Sequence, residues 1–160
     1  MAAILRPDPT FYPSPRLAME APRERFAYVA LLCPDRTRPD AIGVVDATPG
    51  SPTYGRTVHK VELTAPGDEL HHFGWNACSS MLSASNGHPF TERRYLIVPG
   101  MRSSRLYVID TKPHPTQARI VKVIEPEEVT RKTGYSRPHT VHCGPMGIYI
   151  STLGGKGRDG

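Results

Sequence analysis

Cysteine is scarce in this 160-residue chain: three residues, Cys33, Cys78 and Cys143, an odd number in no CxxC spacing. That pattern argues against a disulfide framework and leads us to expect reduced thiols. Long apolar runs are missing too. None approaches the roughly 20 residues that cross a bilayer as a helix, so no transmembrane segment is expected. The start, MAAILRPDPTFYPSP, is broken by Pro7, Pro9, Pro13 and Pro15 and has no apolar stretch long enough for a secretory signal; a cytoplasmic location is expected. Helical periodicity is confined to Pro15–Ala21 and Glu127–Lys132, each enough for a turn or two. The net charge of +5 and pI near 9.3 invite a nucleic-acid reading, but the basic residues have acidic neighbours. Arg23 and Arg25 flank Glu24, Arg93 and Arg94 follow Glu92, and no aromatic platform for stacking bases accompanies them, so nucleic acid is not an expected partner. The glycines around Lys156 form no phosphate loop, because Gly157 follows where Ser or Thr is needed.

What is present is strand after short strand. Phe26–Leu32, Ala41–Asp46, Val58–Leu63, Tyr95–Val98, Leu106–Asp110, Arg119–Ile124 and Ile148–Leu153 are β-branched or aromatic runs bounded by Pro, Gly, Ser and Asp. The 17 prolines punctuate nearly every gap between them. The fold class is therefore all-β, and 38% apolar residues suffice for a core.

An internal repeat organises the strands. Val44-Val45-Asp46 recurs as Val108-Ile109-Asp110 64 residues on, Tyr28 as Tyr95 after 67, and His71 as His139 after 68. Two four-stranded units with a period in the sixties suggest about two blades of a β-propeller; a sandwich or an open barrel fits the periodicity as well.

The chemistry concentrates in Asp68–Ser80, DELHHFGWNACSS: two adjacent histidines, two carboxylates, the single tryptophan and a cysteine between strands. Imidazoles with carboxylates at hand to orient them suggest a metal site. The alternative is one solvent-exposed histidine and one satisfied by a backbone carbonyl. Alternation along a strand sends His71 and His72 to opposite faces, and likewise His139 and His142, unless they stand at a strand start or a bulge. His59, His88 and His114 lie in a polar strand or turns and read as structural, as does Cys33 ahead of Pro34.

These segments carry a resemblance. PSPRLAMEAPRERFAYV, DELHHFGWNACSS, RSSRLYVIDTKP, KVIEPEEV, PHTVHC and ISTLGGKG occur in the order found in the selenium-binding protein family, whose bacterial members include copper-dependent methanethiol oxidases. The resemblance implies a seven-bladed β-propeller about three times as long as this chain. Residues 1–160 then read as the amino-terminal part of one propeller domain, truncated at the carboxyl end, with an exposed sheet edge or apolar face. It also implies copper as cofactor, with His71, His72, His139 and His142 as metal ligands, and a small thiol and O2 as reaction partners. The implied reaction takes methanethiol, oxygen and water to formaldehyde, hydrogen sulfide and hydrogen peroxide. Asp68, Glu69, Cys78 and Cys143 become candidates for the layer around the metal, and Trp75 for core or an apolar wall. The competing implication is a non-enzymatic propeller that binds selenium or thiols, or an inactive fragment. In mammalian relatives a cysteine proposed to hold selenium falls in the segment matching Ser51–Arg56, where this chain has Gly55.

Overall fold

The structure, a computed structural model, describes residues 6–82, 91–144, 146–155 and 158–159. Among the described residues the fold is all-β with two short α-helices, and within each sheet the strands pair in sequence order as an antiparallel meander. The first sheet holds β1 (Phe26–Leu31), β2 (Pro39–Asp46) and β3 (Thr57–Pro66). The second holds β4 (Gly74–Trp75), β5 (Tyr95–Pro99), β6 (Leu106–Asp110) and β7 (Arg119–Ile124). The third holds β8 (Tyr135–Gly144), β9 (Gly147–Gly155) and β10 (Arg158–Asp159). Among the described residues this makes three sheets, one of four strands and two of three, where the repeat suggests two of four. The difference lies at the ends of the repeat: β1, β2 and β3 correspond to β5, β6 and β7, and nothing in the first sheet corresponds to β4.

Burial follows the patterning. β3 alternates, with Val61 and Leu63 inward and Lys60, Glu62 and Thr64 outward. These residues join Ile42, Leu96, Val98, Tyr107, Ile109, Leu70 and Ala118 in one core between the first two sheets. The third sheet carries Tyr135, Ile148, Tyr149 and Leu153 exposed. α1 (Pro15–Glu20) starts at Ser14, whose hydroxyl accepts from the Leu17 amide, with Pro15 in the first turn. α2 (Pro126–Thr133) has Glu127 and Glu128 in its first turn, Arg131 and Lys132 in its last, and ends on Gly134 at φ 74°. Both fall where the sequence places them.

The repeated aspartates have one job in both sheets. Asp46 accepts from the Thr48 amide at 2.8 Å, and Asp110 from the Lys112 amide at 3.0 Å, so each closes a turn as its strand ends. Asp46 also takes the hydroxyls of Ser51 and Thr53, which together hold its carboxyl well below the usual range. Asp110 receives two hydrogen bonds from Arg94, at 2.8 and 2.7 Å, and these lower its pKa to about 2. A carboxyl lowered in the fold contributes stability that is present above its unfolded value of 3.8 and is lost as pH falls through about 2. Asp110→Asn is expected to cost about 1–3 kcal/mol at pH 7 and to flatten the acid limb of the stability curve between those values; urea unfolding across pH checks it.

Candidate metal centre

Two edge strands bring the site together. Gly74 of β4 lies against Val141 of β8 so closely that a Cβ there would stand 3.0 Å from the Val141 carbonyl oxygen and 3.2 Å from its Cβ. Glycine is what permits this approach. The histidines reach the junction by equivalent backbone routes. Glu69, at φ 56°, and Arg137, at φ 53°, each occupy the left-handed region two residues before His71 and His139. Non-glycine residues are held there only by their surroundings. The residue between is buried in each case, Leu70 and Pro138. Leu70 is pinned further by Asp40, a buried carboxylate that accepts from the amides of Leu70 at 2.9 Å and Cys33 at 2.7 Å.

Three imidazoles gather. His71 Nδ1 lies 3.3 Å from His139 Nε2, and the ring centroids are 5.4 Å apart. The His72 ring is 4.4 Å from that of His139 and 6.4 Å from that of His71. His71 and His72 escape alternation because they precede β4, and His139 sits at a register shift between Pro138 and Val141. Burial and the two neighbouring imidazoles lower the His72 pKa, which favours the neutral, ligating form. His142 behaves differently: its Nδ1 turns to the Cys143 carbonyl oxygen, and its register partner is Tyr149.

The outer nitrogens of the close pair are also engaged. Glu69 Oε1 is 3.2 Å from His71 Nε2, and Thr140 Oγ1 is 3.1 Å from His139 Nδ1. Arg102 pairs with the other Glu69 oxygen. With Nε2–H donating to Glu69, Nδ1 of His71 accepts, so the hydrogen between the rings belongs to His139. Two nitrogens on one ion at about 2.0–2.1 Å each can stand no more than roughly 4 Å apart, and this pair fits. Among the described residues no set of three His, Cys, Asp or Glu side chains converges closely enough to hold a metal as it stands.

The remaining candidates sort clearly. Asp68 is fully buried away from the rings, taking the Tyr107 hydroxyl at 2.6 Å and facing Arg105 at 3.6 Å; burial and this hydrogen bond push Tyr107 up to about 12. Trp75 packs edge-on against Tyr28 at 5.5 Å with the Arg93 guanidinium 5.0 Å from its ring. His59 binds the Ala118 carbonyl at 2.8 Å, His114 caps a 3-10 turn through the Thr116 amide, and Cys33 is buried with its thiol on Asp35. His88 lies outside the described residues. Gly55 has φ 75° in an open turn, a conformation suited to glycine.

Cys78 and Cys143 correct the expectation of reduced thiols: they form a disulfide, with Cα atoms 6.1 Å apart. Sequence spacing does not show it because the two residues, 65 apart, meet only when β4 and β8 lie edge to edge. The signal available was the repeat, since each cysteine follows a histidine motif.

The model of the 56kDa selenium binding protein family (SBP56) matches residues 5–160. This chain belongs to that family. It is 44% identical to selenium-binding protein 2 of Arabidopsis thaliana, over 91% of this chain and 30% of the relative. It is 41% identical to a methanethiol oxidase of Xenopus laevis, over 93% and 32% respectively. A crystal structure of a hypothetical selenium-binding protein from Sulfolobus tokodaii superposes with a TM-score of 0.88 at 64% identity, over 93% of this chain and 33% of that one. The chain thus spans about a third of the length of these family members.

Two outcomes are expected. Gly74→Ala drives a methyl into Val141, costs about 1–3 kcal/mol and separates the His71 and His139 rings, measurable by thermal unfolding and by histidine NMR shifts. Reducing the disulfide frees a 65-residue loop and lowers stability by up to about 4 kcal/mol, measured by denaturant unfolding with and without reductant.

Proposed function

We propose that this chain supplies part of the copper site of a thiol oxidase acting on methanethiol, within a β-propeller whose neighbouring blades are the three sheets described above. The observation that carries the reading is the 3.3 Å approach of His71 Nδ1 to His139 Nε2 from two sheet edges. The sequential order of strands, with β4 and β8 at facing edges, supports the propeller arrangement. Relatives named methanethiol oxidase, at about 40% identity, support the reaction class.

When bound, copper would supply electron exchange with oxygen and stabilise a small thiol as its thiolate. The chain's own residues prepare the place for it. Glu69, steadied by Arg102, fixes the His71 ring with Nε2–H outward and Nδ1 inward. For both rings to hold a metal, Nε2 of His139 would have to give up its hydrogen, which the ring would carry instead on Nδ1, facing Thr140. His72 would complete a three-imidazole set by a side-chain rotation, and His142 would join only by leaving the Cys143 carbonyl. The exposed faces of His71 and His72 leave access for a small thiol and oxygen.

The test is copper content and methanethiol oxidation in a full-length family member carrying these segments. His71→Ala and His139→Ala are expected to abolish both, His72→Ala to weaken them, and His142→Ala to have the smallest effect. Glu69→Gln should lower copper affinity about 10–100-fold. Unchanged copper stoichiometry and turnover in all four histidine variants would overturn the reading.

A further inference from the structure

The Cys78–Cys143 disulfide is an asymmetric bond beside a groove. Cys143 is 5% exposed within β8, whereas Cys78 is only partly buried at the start of the 3-10 turn Ser79–Leu82. A groove of about 550 Å³, lined by Tyr12, Pro13, Pro15, Ser79, Ser80 and Leu82 but by neither cysteine, ends at the turn that follows Cys78 in the chain. Ser80 joins groove to bond: its Oγ lies 3.0 Å from Cys78 Sγ, 3.5 Å from Cys143 Sγ and 3.0 Å from the Cys143 carbonyl oxygen. Disulfide sulfurs carry no hydrogen, so the single Ser80 hydroxyl hydrogen, which donates to the Cys143 carbonyl oxygen, can reach either sulfur only by rotating.

We infer that this disulfide is a thiol–disulfide exchange site for a small thiol, with Cys78 as the sulfur attacked and Cys143 as the leaving sulfur. A thiolate arriving along the groove forms a bond to Cys78 Sγ. The disulfide breaks, and its electron pair goes to Cys143 Sγ, where the rotating Ser80 hydroxyl can donate to the developing charge. Cys78 is left as a mixed disulfide. A second thiolate attacks the sulfur of the bound small thiol, releasing a small-molecule disulfide and Cys78 as a thiol. Two small thiols are oxidised by two electrons and one cystine is reduced to two cysteines, so the balance closes without metal or oxygen. The site is thus chemically independent of the imidazole centre, although both sit on the β4–β8 junction, and reduction would loosen that junction.

The test uses the chain carrying Cys33→Ser, treated with chelator to remove metal, and 2-mercaptoethanol as the probe thiol. Samples are acid-quenched over time, alkylated and mapped by mass spectrometry. The expected result is that Cys78 and Cys143 start oxidised, become alkylatable together under native conditions, and pass through a mixed disulfide on Cys78. In single variants the probe is the oxidised form of this thiol, bis(2-hydroxyethyl) disulfide, which the remaining cysteine thiolate attacks with release of one 2-mercaptoethanol: Cys143→Ser should form the adduct on Cys78 at least about tenfold faster than Cys78→Ser forms one on Cys143, and Ser80→Ala should slow exchange in the otherwise intact chain. Three results would overturn the inference: free thiols at both positions in the oxidised protein, resistance to the probe until denaturant is added, or equal adduct formation on the two sulfurs. The time course on the Cys33→Ser chain stands without the single variants, should either fail to fold. Because metal is absent throughout, failure here leaves the copper reading untouched.

Discussion

The closeness of β4 to β8 at Gly74 is the constraint on which the site depends. Any side chain at this position would meet the Val141 backbone and side chain, and a shift of even a few tenths of an ångström acts directly on a ring pair separated by 3.3 Å. The same junction brings Cys78 to Cys143, so histidine pairing and cysteine pairing are two consequences of one packing contact. The disulfide clamps from one side what the absence of a side chain at Gly74 permits from the other.

Carboxylates do much of the remaining work, and mostly on the backbone. Asp40 fastens the loop that leads to His71, and Asp46 and Asp110 close equivalent turns. Asp68 is buried against a tyrosine hydroxyl and an arginine. Among the described residues only Glu69 addresses an imidazole. The division follows from burial: an ionised carboxylate removed from water needs donors, and amides, hydroxyls and guanidinium groups at fixed positions supply most of them, with Asp68 Oδ1 left facing Arg105 at 3.6 Å and no hydrogen bond. Glu69, nearer solvent and held by Arg102, keeps an oxygen for the ring.

Much of this was legible in the chain itself. The seven β-rich runs became strands because alternation and β-branched residues agree with the burial each receives, and the VVD and VID repeat marked a turn that recurs physically. β4 and β8 were harder. β4 has two residues, and β8 carries Pro138 and polar side chains that hide its extended backbone. The approach of His71 to His139 was readable in the 68-residue offset. The separate course of His142, the left-handed backbone at Glu69 and Arg137, and the disulfide were not. Each is decided by tertiary packing, and neither glutamate nor arginine announces a positive φ as glycine does.

The central claim is that histidines from two sheet edges share one ion. Pulsed electron paramagnetic resonance of a copper-loaded full-length family member carrying these segments, with histidine nitrogens isotopically labelled, tests it most directly. The account predicts coupling to at least two imidazoles, with one set of couplings lost on replacing His71 and a different set lost on replacing His139. A copper signal free of imidazole coupling, or one indifferent to both replacements, would contradict it.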